Sequence, residues 1–241
     1  MEIKASKLKF KNGLRDGVPI ALGYLSVSFG FGISAASKGL ATLPALLISM
    51  TNLTSAGQVA GLSVIVAAGT LVEIIMTQLI INLRYSLMGL TLTQKLDDTF
   101  STLHRMAVAF FITDEIYAVA SSKTGGVNTR YMYGLGFLPY IGWAAGTLFG
   151  AVAGSLLPAS ISSALGIAIY GMFVAIIVPP AKKDRGILFA VAIAALISCA
   201  IKYIPLFSFI TQGFAIIICA LLAACLAALI FPVKEESEND C

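Results

Sequence analysis

Charge is what this 241-residue chain has least of. Asp, Glu, Lys and Arg make up 12 % of it, against roughly 25 % in soluble domains. Histidine occurs once, as His104, so a zinc site of the H-E-x-x-H kind is excluded. No glycine-rich loop ending in Lys-Ser/Thr and no G-x-S-x-G elbow occurs. The first absence excludes transport driven by the chain's own nucleotide hydrolysis, and the second a hydrolase of that class. Three of the four cysteines, Cys199, Cys219 and Cys225, lie in apolar runs, and Cys241 is the last residue. That placement does not form a disulfide framework. No metal, cofactor or enzymatic activity is expected.

What the chain has instead is apolar surface. Hydrophobic residues make up 58 %, and the mean hydropathy is +0.92. A soluble fold of this size cannot bury so much, so a bilayer must cover it, and backbone groups in lipid are satisfied only in helices or closed barrels. Each spanning helix needs roughly 20 apolar residues. The expected fold is all-α: a polytopic integral membrane helical bundle with seven or eight transmembrane segments, one of them discontinuous. Residues 1–17 read as a basic cytoplasmic segment, 18–231 as the transmembrane domain and 232–241 as a polar tail.

Hydropathy places the spans at Val18–Ser37, Leu43–Ala68, Leu71–Leu92, Leu103–Ser121, Tyr131–Leu157, Ile161–Val178, Ile187–Ile204 and Phe209–Phe231. The first is too long for a signal-peptide core and reads as a retained helix. Lys4, Lys7, Lys9, Lys11 and Arg15 precede it, and Lys182, Lys183 and Arg185 lie between the sixth and seventh. Basic loops collect in the cytoplasm, so the N-terminus is expected there, in a cell membrane. Lys38, Lys95, Arg105 and Lys202 fall on the opposite face in this reading. If the second span is re-entrant, the number drops to seven and the C-terminus moves outside.

Polar residues inside these spans are the candidate site. Thr51 to Gln58 interrupts the second span with Asn52, Ser55, Gly57 and Gln58. Broken helices in transporters aim half-helix ends at substrate, although Ser, Thr and Asn also glue helices together. In the third span Glu73, Thr77, Arg84 and Thr91 share one face, while Gln78, Asn82 and Tyr85 form a second stripe. A helix polar on two sides belongs inside the bundle. Asp114 and Glu115 stand in the middle of the fourth span. An intramembrane carboxylate costs about 2.5–3.5 kcal/mol on insertion scales and marks a substrate or ion pathway by default. Either is the natural partner of Arg84, in a structural or a functional ion pair. Gly142, Gly146, Gly150 and Gly154 recur every four residues, a row for close helix approach to an internal or subunit neighbour. A faint echo links Phe31-Gly32 and Pro44 with Phe149-Gly150 and Pro158, as internal repeats do in secondary transporters.

Five stretches together resemble the AzlC-type branched-chain amino acid permeases, the large subunit of a two-component exporter. They are residues 13–24 (GLRDGVPIALGY), Ala56-Gly57-Gln58, Asn82-Leu83-Arg84-Tyr85, Thr113-Asp114-Glu115 and Ala175-Ile176-Ile177-Val178-Pro179. Two positions depart from the family pattern: many members carry His at Tyr85, and many an Asp where this chain reads Gly166-Ile167-Ala168. The resemblance implies export of leucine, isoleucine or valine, coupling to protons, and a small AzlD-type membrane subunit encoded separately. The expected roles follow. Asn52, Ser55, Gly57, Gln58, Asn82, Arg84 and Tyr85 bind substrate, and Asp114 and Glu115 carry the coupling proton. A channel, an exporter of other small molecules and a non-transporting scaffold are the alternatives.

Overall fold

The computed structural model describes residues 8–158, 160, 168–207 and 209–232. Among these, all regular elements are helical, apart from one isolated bridge between Leu96 and Val127. The α-helices are α1 (Phe10–Ser37), α2 (Thr42–Thr51), α3 (Ser55–Val66), α4 (Leu71–Leu92), α5 (Thr102–Ala109), α6 (Asp114–Ser121), α7 (Thr129–Leu156), α8 (Ala168–Lys183), α9 (Arg185–Tyr203) and α10 (Gln212–Ile230). Five of them, α1, α4, α7, α9 and α10, are long and apolar enough to cross a membrane. The expectation of a helical membrane bundle holds; seven or eight crossings do not follow from these lengths. Lys4, Lys7, most of the 232–241 tail, the start of the sixth span and Gly166-Ile167 lie outside the described residues.

The chain packs as two units, Met1–Leu62 with Ile81–Ile169, and Ser63–Ile80 with Tyr170–Cys241. In the first, α1 and α7 form the spine. They run parallel: Gly13 lies against Tyr131 and Leu135, Gly17 against Leu135 and Pro139, and Gly32 against Thr147 and Ala151. The glycine row of α7 faces α1 along its length, with Gly142 on Ala21, Gly146 on Leu25 and Gly150 on Phe29. A Cβ at Gly150 would collide with the Phe29 carbonyl. The row therefore serves an internal contact, one of the two options its spacing left open.

The fourth span corrects the sequence reading. It is not one helix but two, α5 and α6, with a break at residues 110–113. Each has eight residues and rises only about 12 Å, against a hydrocarbon core of about 30 Å. The pair turns back. Arg84 meets Asp114, Thr91 meets Tyr117 and Lys95 meets the Ser121 carbonyl, so α6 runs parallel to α4. Tyr24 meets Thr113 and Asp16 meets Lys123, so α6 runs antiparallel to α1. Lys95 therefore stands at the same end as Lys123 and the start of α1, not on the opposite face.

This geometry sets the chain's path. Within the first unit α1 is antiparallel to the Ile81–Leu92 part of α4, and the second span is divided into α2 and α3. Since that part of α4 is also antiparallel to α7, α5 with α6 leaves one end of the unit and returns to it. The break in the second span was expected, at Asn52, Leu53 and Thr54 between α2 and α3. The hairpin of α5 and α6 was not. A hydropathy window averages over both limbs of such a hairpin and scores them as one crossing.

In the second unit α9 and α10 form a hairpin. Asp184 caps α9, accepting from the Gly186 and Ile187 amides at 2.6 and 3.1 Å. Glu73, in the first turn of α4, closes a capping box with Thr70: its Oε2 accepts from the Thr70 amide at 3.0 Å, and Thr70 Oγ1 accepts from the Glu73 amide at 3.2 Å. Its other oxygen accepts from Thr211, the residue preceding α10. Glu73 is buried and tied to helix ends, so sharing a face with Arg84 gives it no common task. Among the described residues, the window of α4 that reads as a span is only 11 % buried, where its two polar stripes suggested an enclosed helix.

Candidate functional site

Both helix breaks are built by the same device. Thr54 precedes α3, and its Oγ1 accepts from the Gly57 amide at 3.3 Å. Thr113 precedes α6, and its Oγ1 accepts from the Ile116 amide at 3.4 Å. A threonine cap starts a helix by satisfying an orphan N–H. Here it starts two half-helices in the interior of the first unit, where each N-terminus presents a partial positive charge.

The two breaks meet at α7. Tyr140 Oη donates to the Met50 carbonyl at 3.3 Å, and the same ring stacks edge-on against Phe110 and Phe111 at 5.9 and 5.8 Å. Leu53 from one break and Ile112 from the other join one buried cluster with Tyr24, Ile116 and Trp143. Trp143 stands edge-on to Tyr24 with ring centres 5.0 Å apart. The glycine-packed spine thus carries both breaks at one level.

On the first break, Gln58 is fully buried. Its Nε2 donates to the Asn52 carbonyl at 2.5 Å and to Ser49 Oγ at 3.3 Å, and Ser49 shares a 2.5 Å hydrogen bond with Thr147 of α7. Gln58 Oε1 and Trp143 Nε1 are buried without a hydrogen-bond partner among the described residues. Buried polar atoms are seldom left so, and each orphan asks for a reason. Ser55 opens α3 half-buried, and Gly57 is buried behind Thr54.

On the second break, Arg84 Nη2 lies 2.9 Å from Asp114 Oδ2. The same nitrogen donates to Tyr85 Oη at 3.0 Å, and the guanidinium lies over the Tyr85 ring. The pair is open: the two side chains are 48 % and 41 % exposed. This corrects the picture of a charge pair sealed in the bundle. Glu115 does not reach Arg84 by any such bond; Tyr24 Oη donates to its Oε2 at 2.6 Å and accepts from the Thr113 hydroxyl at 2.5 Å. Asn82 lies half-buried on the stripe it shares with Tyr85.

The structure therefore joins Arg84, Tyr85, Asp114 and Glu115 at one break, and Asn52, Ser55, Gly57 and Gln58 at the other. Sequence reasoning gave no role to Tyr24, Ser49, Tyr140, Trp143 and Thr147, which connect them. Tyrosines in mid-span were the available signal. Among the described residues, no group of three or more His, Cys, Asp or Glu could hold a metal. Chemically, the arrangement offers one cation, two carboxylates and two half-helix N-termini within an apolar frame. It can hold opposite charges on a small molecule.

Comparison with known proteins agrees in kind. The family described as "AzlC protein" matches residues 19–157. The chain is 27 % identical to the "Inner membrane protein YgaZ" of Escherichia coli K12, across 91 % of each chain. It is 31 % identical to an "Uncharacterized membrane protein" of Archaeoglobus fulgidus, across 72 % of this chain and 76 % of that one. A Helicobacter pylori J99 protein of the same description is 28 % identical over 61 % of this chain and 64 % of its own. No solved structure matches.

Proposed function

We propose that this chain, which belongs to the AzlC family, is a secondary transporter exporting branched-chain amino acids, coupled to protons and working with a small membrane subunit. One observation carries the reading: two helix breaks, each followed by a threonine-capped half-helix, meet at Tyr140 beside an open Arg84–Asp114 pair. Discontinuous helices whose N-termini face an anionic substrate group are a recurring transporter device. An amino acid is a zwitterion. Its carboxylate fits Arg84 and the positive ends of α3 and α6, and its ammonium fits Asp114 and the orphaned acceptor of Gln58. The aliphatic side chain fits the apolar frame of Leu53 and Ile112. Glu115, held by Tyr24, or Asp114 takes the coupling proton. The uncovered face of α4 is where the partner subunit sits, since a half-open ion pair at membrane depth needs water or protein beside it.

The direct test is efflux from proteoliposomes holding the chain with and without its small partner, using leucine, isoleucine, valine and a panel of other amino acids. Proton-dependent efflux confined to the aliphatic three is the expected result; equal efflux of unrelated solutes would make the chain a less selective exporter or a channel.

A cysteine scan tests the site itself. In a background lacking the four native cysteines, Ser55→Cys is expected to react with a small water-soluble thiol reagent, because Ser55 opens α3 and is half-buried. Thiolate is the reacting form, so reaction reports water at this depth. Excess leucine should slow it. Complete inertness in a variant that still exports would make the first break a dry packing patch.

A further inference from the structure

A second polar feature lies at the end of the spine, away from both breaks. There the starts of α1 and α7 stand side by side, because the two helices are parallel. Asn128 locks them together: its Nδ2 donates to the Leu8 carbonyl at 2.7 Å, and its Oδ1 accepts from the Tyr131 amide at 2.8 Å. Thr99 from the α4–α5 loop joins the same junction, its hydroxyl accepting from the Thr129 amide at 3.0 Å. Between them opens a cavity of ≈ 840 Å³.

Its lining is amphiphilic. Lys9, Lys11 and Arg130 supply three cations, and Leu8 and Phe10 an apolar wall. No ion pair involves these cations among the described residues; the pairs present are Arg84–Asp114 and Lys123–Asp16. Asp97, the buried acid two residues before Thr99, is engaged by the Thr99 amide and hydroxyl at 3.1 and 2.6 Å. Three unneutralised cations around a rigid, hydrogen-bonded rim attract a multivalent oxyanion. The cavity also lies where a membrane-spanning spine ends, beside an exposed Phe10, and that is the level of lipid phosphates.

We propose that this cavity binds the phosphate headgroup of an anionic phospholipid, with Lys9, Lys11 and Arg130 on the phosphate and Leu8 and Phe10 against the first carbons of the acyl chains. Basic pockets between helix ends bind lipid headgroups in this manner. The inference does not depend on what the protein transports.

The test is binding of fluorescent phosphatidylglycerol and phosphatidylcholine to the purified full chain in neutral detergent. The expected result is saturable phosphatidylglycerol binding that millimolar inorganic phosphate does not displace. Each cation should be worth about fivefold, so the triple Lys9→Gln, Lys11→Gln, Arg130→Gln variant should bind roughly 100-fold more weakly, while Lys38→Gln, at the far end of α1, changes nothing. Should the triple variant unfold, Arg130→Gln alone must still show its fivefold loss. Undiminished binding by folded variants, or equal binding of phosphatidylcholine, overturns the site. Complete displacement by inorganic phosphate makes it a site for the free ion and overturns the lipid assignment.

Discussion

Gly150→Leu is expected to yield no stably folded protein. Any side chain at Gly150 drives its first carbon into the Phe29 carbonyl of α1. Neither helix can yield locally, because Gly142 and Gly146 press on Ala21 and Leu25 along the same seam. Overpacking costs about 1–3 kcal/mol where flexible side chains absorb it. Here the obstacle is backbone, which puts the cost at about 3 kcal/mol or above. Both helix breaks hang on this spine, so separating α1 from α7 also pulls Tyr24 from Thr113 and Thr147 from Ser49. Thermal unfolding and size-exclusion profiles in detergent check it, with Gly23→Leu as the control. Gly23 lies on α1, the facing helix, with nothing within 4 Å of an added carbon and should tolerate leucine. Equal stability of the two variants would mean that the row faces a partner and not α1.

Asp114→Asn and Arg84→Ala are expected to separate transport from folding. Both should abolish proton-coupled efflux, since each removes one half of the charge pair at the second break. A dry, sealed pair would cost about 3–5 kcal/mol on losing one member. This pair is nearly half exposed, and exposed pairs are worth about 0–1 kcal/mol. Each single variant should therefore insert and fold close to normally. The double variant should match the singles in stability and remain inactive. Glu115→Gln should also lose coupling, while keeping the hydrogen bond from Tyr24 that orders the start of α6. Normal efflux from the carboxylate variants removes their proton-carrying role, and a stability loss of about 3 kcal/mol or more for Arg84→Ala would mean that no water reaches the open side.

Composition and hydropathy were enough to require a membrane-embedded helical chain, because too little charge and too much apolar surface leave no soluble alternative. The third span was read to the residue as Leu71–Leu92, since a single straight helix has one hydropathy maximum and clear ends. The break at Asn52–Thr54 was legible because Thr, Asn and Ser crowd it and no helical face accounts for them. Arg84 and an acidic partner were legible because a lone intramembrane cation needs one. The glycine row announced a close contact, but spacing on one helix carries no information about the helix facing it.

Direction was what the sequence withheld. Residues 103–121 are apolar enough for one crossing, and only contacts distant in sequence, Asp16 with Lys123 and Lys95 with Ser121, reveal that the chain turns back at Thr113. The break there is hard to read because Phe110, Phe111 and Ile112 keep hydropathy high across it, while the cap is a single threonine. Which carboxylate meets Arg84 was likewise a tertiary matter. Asp114 and Glu115 are adjacent on α6 and point about 100° apart, so the placement of α1 and α4 on either side gives one to Arg84 and the other to Tyr24. Amino-acid types fixed which groups needed partners at membrane depth; the parallel packing of α1 and α7 decided which partners they met, because it brings two breaks 59 residues apart, at Thr54 and Thr113, to one level.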